Sequence, residues 1–239
     1  QGAIIAPWVR LNSASQLHRL DPANTFEWIM DQSDINGILS TFYFLGGSTN
    51  PSFDADYSLN HSAIRGLMRR IHERGHRIGL HPSYGSYRQA KLIKLELNRL
   101  KQIAAEEGIS QERWGARMHY LRWEHPTTLQ MLTDAGLSYD NTLSYADMPG
   151  FRCGTCFEYE AFDPVEKKAL PISIQPLIVM DRSLFSSKYL SLDCEMAIDK
   201  IKQLKNICTI FNGSFSILWH NTELVTTKQK EFYKSILSI

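Results

Sequence analysis

Five side chains able to do acid–base or metal chemistry fall at or near the ends of short apolar runs. "RIGL" stops at His81, "WGARMHY" carries Arg117 and His119, "LSYDNT" carries Asp140, and "SFSILWH" stops at His220 with Asn221 next. An imidazole titrates near neutrality, and its neutral form is a common metal ligand. A carboxylate and a guanidinium beside it would hold or stabilise charge. Singly, each has a plainer role: a strand-end histidine is more often a hydrogen-bonded structural residue, Asp140 before Asn141 suits a turn, and Arg117 suits a surface ion pair. Convergence from four separate strands is what points to a site.

The elements that must position these residues alternate along the chain. Residues 22–34 read as a helix, with Asn24 and Glu27 spaced as a capping box and Phe26, Ile29 and Met30 on one face. A buried strand over 38–45, a helix over 62–74 closed by Gly75, and a strand over 77–80 follow. A long amphipathic helix over about 88–107 ends at Gly108. "WGARMHY" reads as a strand, "TTLQMLTDAG" as a helix and "LSYDNTL" as a short extended segment. Residues 146–169 read as irregular, and loops of that length are usually functional or insertional. "LPISIQPLIVMD" resumes extended structure, "LDCEMAIDKIKQLKN" is a helix, "SFSILWH" a strand, and 226–238 a closing helix. Strands alternating with helices imply a parallel sheet with right-handed crossovers. With no glycine-rich phosphate fingerprint after any strand, a (β/α) barrel is favoured over a nucleotide-binding sheet, and polar residues at the carboxyl ends of its strands become site candidates.

Composition bounds the function classes. The chain has 239 residues, 43% hydrophobic and 21% charged, which is enough apolar material for a sizeable core. The net charge is +1 and no basic cluster is longer than a pair such as Arg69-Arg70, which excludes a nucleic-acid footprint or a polybasic membrane anchor. No window approaches the roughly 20 apolar residues of a membrane span. Four cysteines are too few for a disulfide scaffold, which favours a reducing compartment and a cytoplasmic location; a signal sequence upstream of Gln1 would make it periplasmic or cell-surface instead. Cys153 and Cys156 form one CxxC, but a zinc site would want a second pair, so a packed loop is expected.

"GHRIGLHPS", "ARMHY", "SYDNT" and "SILWHN", in this order and spacing, resemble motifs two to five of the polysaccharide deacetylases, the NodB-like carbohydrate esterases. The resemblance spans about residues 25–222, and its nearest branch is the deacetylase-like proteins of bacterial surface-polysaccharide loci. It implies a distorted (β/α)7 TIM-like barrel, here without its first strand, as a single domain over 1–239 in a piece of a longer chain. It also implies metal-assisted removal of an N-acetyl, or less commonly O-acetyl, group from a bacterial surface carbohydrate, with zinc as the divalent metal. By resemblance His81 is a metal ligand, His220 the general acid, Arg117 an orienting residue, Tyr120 a neighbour of the oxyanion position, and Asp140 the carboxylate that tunes His220.

The departures are equally definite. The family's first motif, which supplies the metal Asp and the base, should lie upstream of residue 22, and no Asp occurs there before Asp21. The second metal His falls on Gly85, leaving His119 to supply the other imidazole. Asp54 and Asp56 in "SFDADYS" offer carboxylates, but read better as a solvated loop. Trp123 and Trp219 suit core packing better than a sugar platform, and Asp181 lies near the rim. Two other readings stay open: a catalytically inactive carbohydrate-binding or assembly protein on the same barrel, and an unrelated barrel metallohydrolase with His81, His119 and His220 as ligands.

Overall fold

The computed structural model describes residues 21–239. The expected absence of a first strand and first motif falls on residues 1–20, outside the described residues. The chain then alternates through α1 (Phe26–Ile35), β1 (Thr41–Leu45), α2 (Ser62–Glu73), β2 (Arg77–His81), α3 (Ala90–Glu106), β3 (Gly115–Ala116), α4 (Thr127–Ala135) and β4 (Tyr139–Asp140). Next come β5 (Tyr159–Asp163), β6 (Lys168–Ile174), β7 (Val179–Met180), α5 (Asp181–Phe185), α6 (Cys194–Ile210), β8 (Ile217–Leu218) and α7 (Thr227–Leu237). Short 3₁₀ turns at Tyr84–Ser86, His119–Leu121 and Asn221–Glu223 follow β2, β3 and β8.

Strands β1, β2, β3, β4 and β6 lie side by side in parallel, β5 adds antiparallel to β6, and β7 pairs in parallel with β8. This is a distorted (β/α) barrel whose sheet is not closed. Among the described residues no helix is long and apolar enough to cross a membrane.

Local sequence explains the elements. In α2, Leu67, Met68 and Ile71 recur at helical spacing and are buried, His61 caps the start by accepting from the Ala63 amide at 3.2 Å, and Gly75 takes φ 78° just past the end. Each such aliphatic side chain contributes about 1.5–3 kcal/mol when fully buried. The capping box expected at Asn24 is not the cap of α1. Thr25 occupies that position without a side-chain cap bond, and its hydroxyl donates instead to the Asn221 carbonyl at 3.0 Å. That bond ties α1 to the segment after His220.

Side chains alternate across the strands. Phe44, Ile78, Leu80 and Ala116 join Leu67, Ile71, Leu97 and Leu132 in one core. The opposite face carries Tyr43, Gly79, His81 and Gly115, and there rings stand where neighbouring side chains are missing. A Cβ on Gly79 would strike the Tyr43 ring, and one on Gly115 would strike Tyr139. A second core joins Ile178 and Val179 to Ile201, Leu204 and Cys208 of α6 and to Phe232, Tyr233 and Ile236 of α7.

The segment 146–169, expected to be irregular, contains β5 and the start of β6. Ala161 and Asp163 are buried while Glu160 and Phe162 are exposed, the alternation of a strand with one solvated face. The clustered Glu158, Glu160, Asp163 and Glu166 hid that pattern.

Candidate functional site

His81 closes β2, and its Nδ1 lies 2.5 Å from the Arg117 carbonyl oxygen. A carbonyl only accepts, so Nδ1 carries the proton and Nε2 of the neutral ring keeps its lone pair. Burial, then the nearby His119, push the His81 imidazole down to about 3, with Arg117 and His220 adding to the effect against the pull of the carbonyl. The ring is therefore neutral at pH 7. His119 stands beside it, ring centroids 4.6 Å apart, at the start of the 3₁₀ turn after β3.

Asp54 determines how His119 is held. Its side chain is fully buried, and Oδ1 lies 3.0 Å from His119 Nδ1 while also accepting from the Tyr84 amide at 2.8 Å. Its Oδ2 accepts from the amides of Thr49 at 2.8 Å and Asn50 at 2.9 Å and from the Thr49 hydroxyl at 3.1 Å. Burial raises this carboxyl, but the amide bonds from Thr49, Tyr84 and Asn50 outweigh it and bring it down to about 2. Facing a carboxylate, His119 Nδ1 donates, and Nε2 keeps its lone pair. Burial lowers the His119 imidazole more than the carboxylate raises it. The loop holding Asp54 is largely exposed, as its polar sequence suggests, but the Asp54 side chain itself turns inward and three amides converge on it.

His220 follows β8 and is bonded to Asp181, the first residue of α5. Asp181 Oδ1 lies 2.7 Å from His220 Nδ1, and Oδ2 accepts from the His220 amide at 2.6 Å. The carboxylate that orients His220 is therefore Asp181, not Asp140. Asp181 is buried, whereas the His220 side chain is 42% exposed, so the ring presents Nε2 outward from a fixed support. In sequence, Asp181 was legible only as an acid after an extended run.

Asp140 and Arg117 belong to a deeper polar cluster. Asp140 is fully buried; Oδ1 accepts from the Thr142 hydroxyl at 2.5 Å, and Oδ2 has no hydrogen-bond partner among the described residues. Burial raises this carboxyl to about 6, against Thr142, the Arg117 charge and the adjacent Trp123 indole. The Trp123 indole N–H beside it has no hydrogen-bond partner among the described residues. The Arg117 guanidinium donates to the Asn141 carbonyl at 3.1 Å and to Asn141 Oδ1, and lies 4.5 Å from the Tyr43 ring centroid. Asn141, unnoticed in the sequence beside its charged neighbour, is what holds Arg117.

Tyr120 projects from the rim, 62% exposed at φ 57°, with Leu121 next at φ 51°. Two successive non-glycine residues in the left-handed region mark a strained turn beside His119. The Tyr120 ring stands 5.5 Å from Phe53 and 5.6 Å from Tyr84. Trp219 packs against Phe232 and Tyr233 in the second core, as its packing reading expects. Trp123 stacks on His125, centroids 5.5 Å apart, and packs against the first core.

A divalent metal, which the resemblance implies, can be tested against these donors. Both His81 and His119 fix Nδ1 on an oxygen and leave Nε2 free, the arrangement that orients an imidazole as a ligand. Gly85 cannot substitute for either. Its amide donates to Thr49 Oγ1 at 2.7 Å, and a Cβ there would meet that oxygen at 2.8 Å, leaving no room for a side chain. Two imidazoles therefore fit a metal, and among the described residues no group of three His, Cys, Asp or Glu side chains completes a site.

No protein-family model matches the chain, and no curated protein matches it. Among solved structures it is similar to a crystal structure described as a "putative polysaccharide deacetylase" from Mycobacterium smegmatis. That match has a TM-score of 0.64 at 17% sequence identity and covers 91% of this chain and 70% of that one. At such identity the likeness is one of fold: this chain has the deacetylase-like (β/α) barrel.

Proposed function

We propose that the protein is a metal-dependent carbohydrate deacetylase, removing N-acetyl or O-acetyl groups from a bacterial surface polysaccharide. The observation that carries the reading is the pairing of two backed imidazoles, His81 and His119, with a separately supported His220. The deacetylase-like fold supports the same reading. His81 and His119 would hold the metal through Nε2. When bound, a divalent ion supplies Lewis acidity toward a carbonyl oxygen and a water molecule.

The chain's own residues supply the rest. His220 hands a proton from Nε2 to the leaving nitrogen or oxygen of the sugar, and Asp181 holds the ring in place at Nδ1. Arg117, locked on Asn141 and Tyr43, fixes the carbonyl that orients His81. Tyr120 and the strained turn border the place where the acyl oxygen would sit.

Acetate release from N-acetylated and O-acetylated oligosaccharides, with zinc present or chelated, tests the proposal. Release should require metal and fall about 10²–10⁴-fold in His220→Ala. Acetate release unaffected by chelation or by His220→Ala would refute the mechanism. Binding of oligosaccharide without acetate release would favour the inactive carbohydrate-binding reading, which the blocked Gly85 position supports.

A further inference from the structure

We propose that Cys156 and Cys208 form a disulfide under oxidising conditions, a covalent latch between the segment after β4 and the end of α6. The CxxC that stands out in sequence does not act as a unit. Cys153 packs against the first core, whereas Cys156 lies in the second core together with Cys208. The two thiols of the motif thus enter different clusters.

The backbone holds Cys156 against the end of α6. Ser214 donates its amide to the Cys156 carbonyl at 2.9 Å, and Gly213 donates to the Cys208 carbonyl at 2.8 Å. Adjacent residues therefore bind the carbonyls of both cysteines. Gly213 leaves the space that the Cys156 sulfur fills, since any Cβ there would overlap it. Both cysteines are buried and free. Burial, followed by the neighbouring Cys156 sulfur, pushes the Cys208 thiol up to about 12, an influence that requires the two sulfurs to lie close together. Cys194 cannot compete for Cys208: both lie on α6, about 21 Å apart along a helix of that spacing.

The exchange balances with a small-molecule disulfide as oxidant. The Cys156 thiolate attacks one sulfur of oxidised glutathione, forming a mixed disulfide and releasing one glutathione thiolate. Cys208, deprotonated, attacks the Cys156 sulfur and releases the second. One protein S–S bond replaces the glutathione S–S bond, and the two cysteine protons end on two glutathione thiols. Because both sulfurs are buried, exchange proceeds during folding or local opening. The closed loop of about 50 residues is long enough for the bond to restrict the unfolded chain substantially.

The full chain, refolded in a mixture of reduced and oxidised glutathione and digested without reduction, gives a direct reading by mass spectrometry. The expected product is a Cys156–Cys208 cross-linked peptide, present equally in Cys153→Ser and absent from Cys208→Ser. The oxidised form should melt several degrees above the reduced form, a difference that Cys208→Ser abolishes. A Cys153–Cys156 bond, glutathione adducts alone, or four free thiols would overturn the proposal.

Discussion

At the residue scale, the chemistry rests on how each ionisable group is backed. Asp140 is the clearest case. Its folded-state value of about 6 lies above the ordinary aspartate value of about 3.9, so between those pH values the folded protein holds a proton that the unfolded chain has lost. Stability should therefore fall as pH rises from about 4 to about 6, by about 3 kcal/mol in all, and stay low above that. Urea unfolding of the wild type and Asp140→Asn across pH 4–8 checks this; the variant should lose that part of the slope, and an unchanged slope would place the cause elsewhere. Asp54 behaves in the opposite sense structurally, because its carboxylate satisfies three amides and His119. Asp54→Ala strands those buried donors and should destabilise by about 1–3 kcal/mol. It should also weaken metal binding by about 10–100-fold, the usual effect of removing the carboxylate behind a ligating imidazole. Calorimetric zinc titration reads the second effect separately from the first. Asp181→Asn should lower turnover through His220 while leaving zinc affinity unchanged, which separates the acid from the metal pair.

At the element scale, short strands deliver the groups and glycines let the strands approach. The order of helices and strands was legible in the sequence because apolar runs and glycine ends mark them directly. Strand lengths were not: "WGARMHY" pairs only at Gly115–Ala116 before the chain turns at His119, since the polar rim residues bend away from the ladder. Of the β5–β6 hairpin, β6 was legible as extended from Leu170 and β5 was not, because acids stand on both its solvated and its buried face. Gly115 reports how tightly the inner face is filled. Gly115→Ala would drive a methyl group into the Tyr139 ring and should cost about 1–3 kcal/mol, read as a lower urea midpoint with little change in slope. A neutral outcome would show that Tyr139 can move aside.

At the scale of the whole molecule, the barrel joins Asp54, His119 and His81, and sets the Asp181–His220 pair near enough for the His220 charge to act on both other imidazoles. His81, Arg117, His119, Asp140 and His220 were legible as candidates because each stands near a strand end, and Tyr120 only through the family resemblance. Their partners were not, because Asp54, Asn141 and Asp181 are joined to them only through the fold, across as many as 65 residues for Asp54 and His119. The family resemblance pairs Asp140 with His220; the hydrogen bonds that His220 makes give that place to Asp181. The fold likewise turns one side chain of an exposed polar loop, Asp54, inward to support His119. If His81 and His119 together hold a divalent metal, as proposed, zinc measured by mass spectrometry after dialysis should be stoichiometric in the wild type and in His220→Ala and lost from the His81→Ala/His119→Ala pair; zinc retained in the double variant, or absent from the wild type, would contradict the metal assignment.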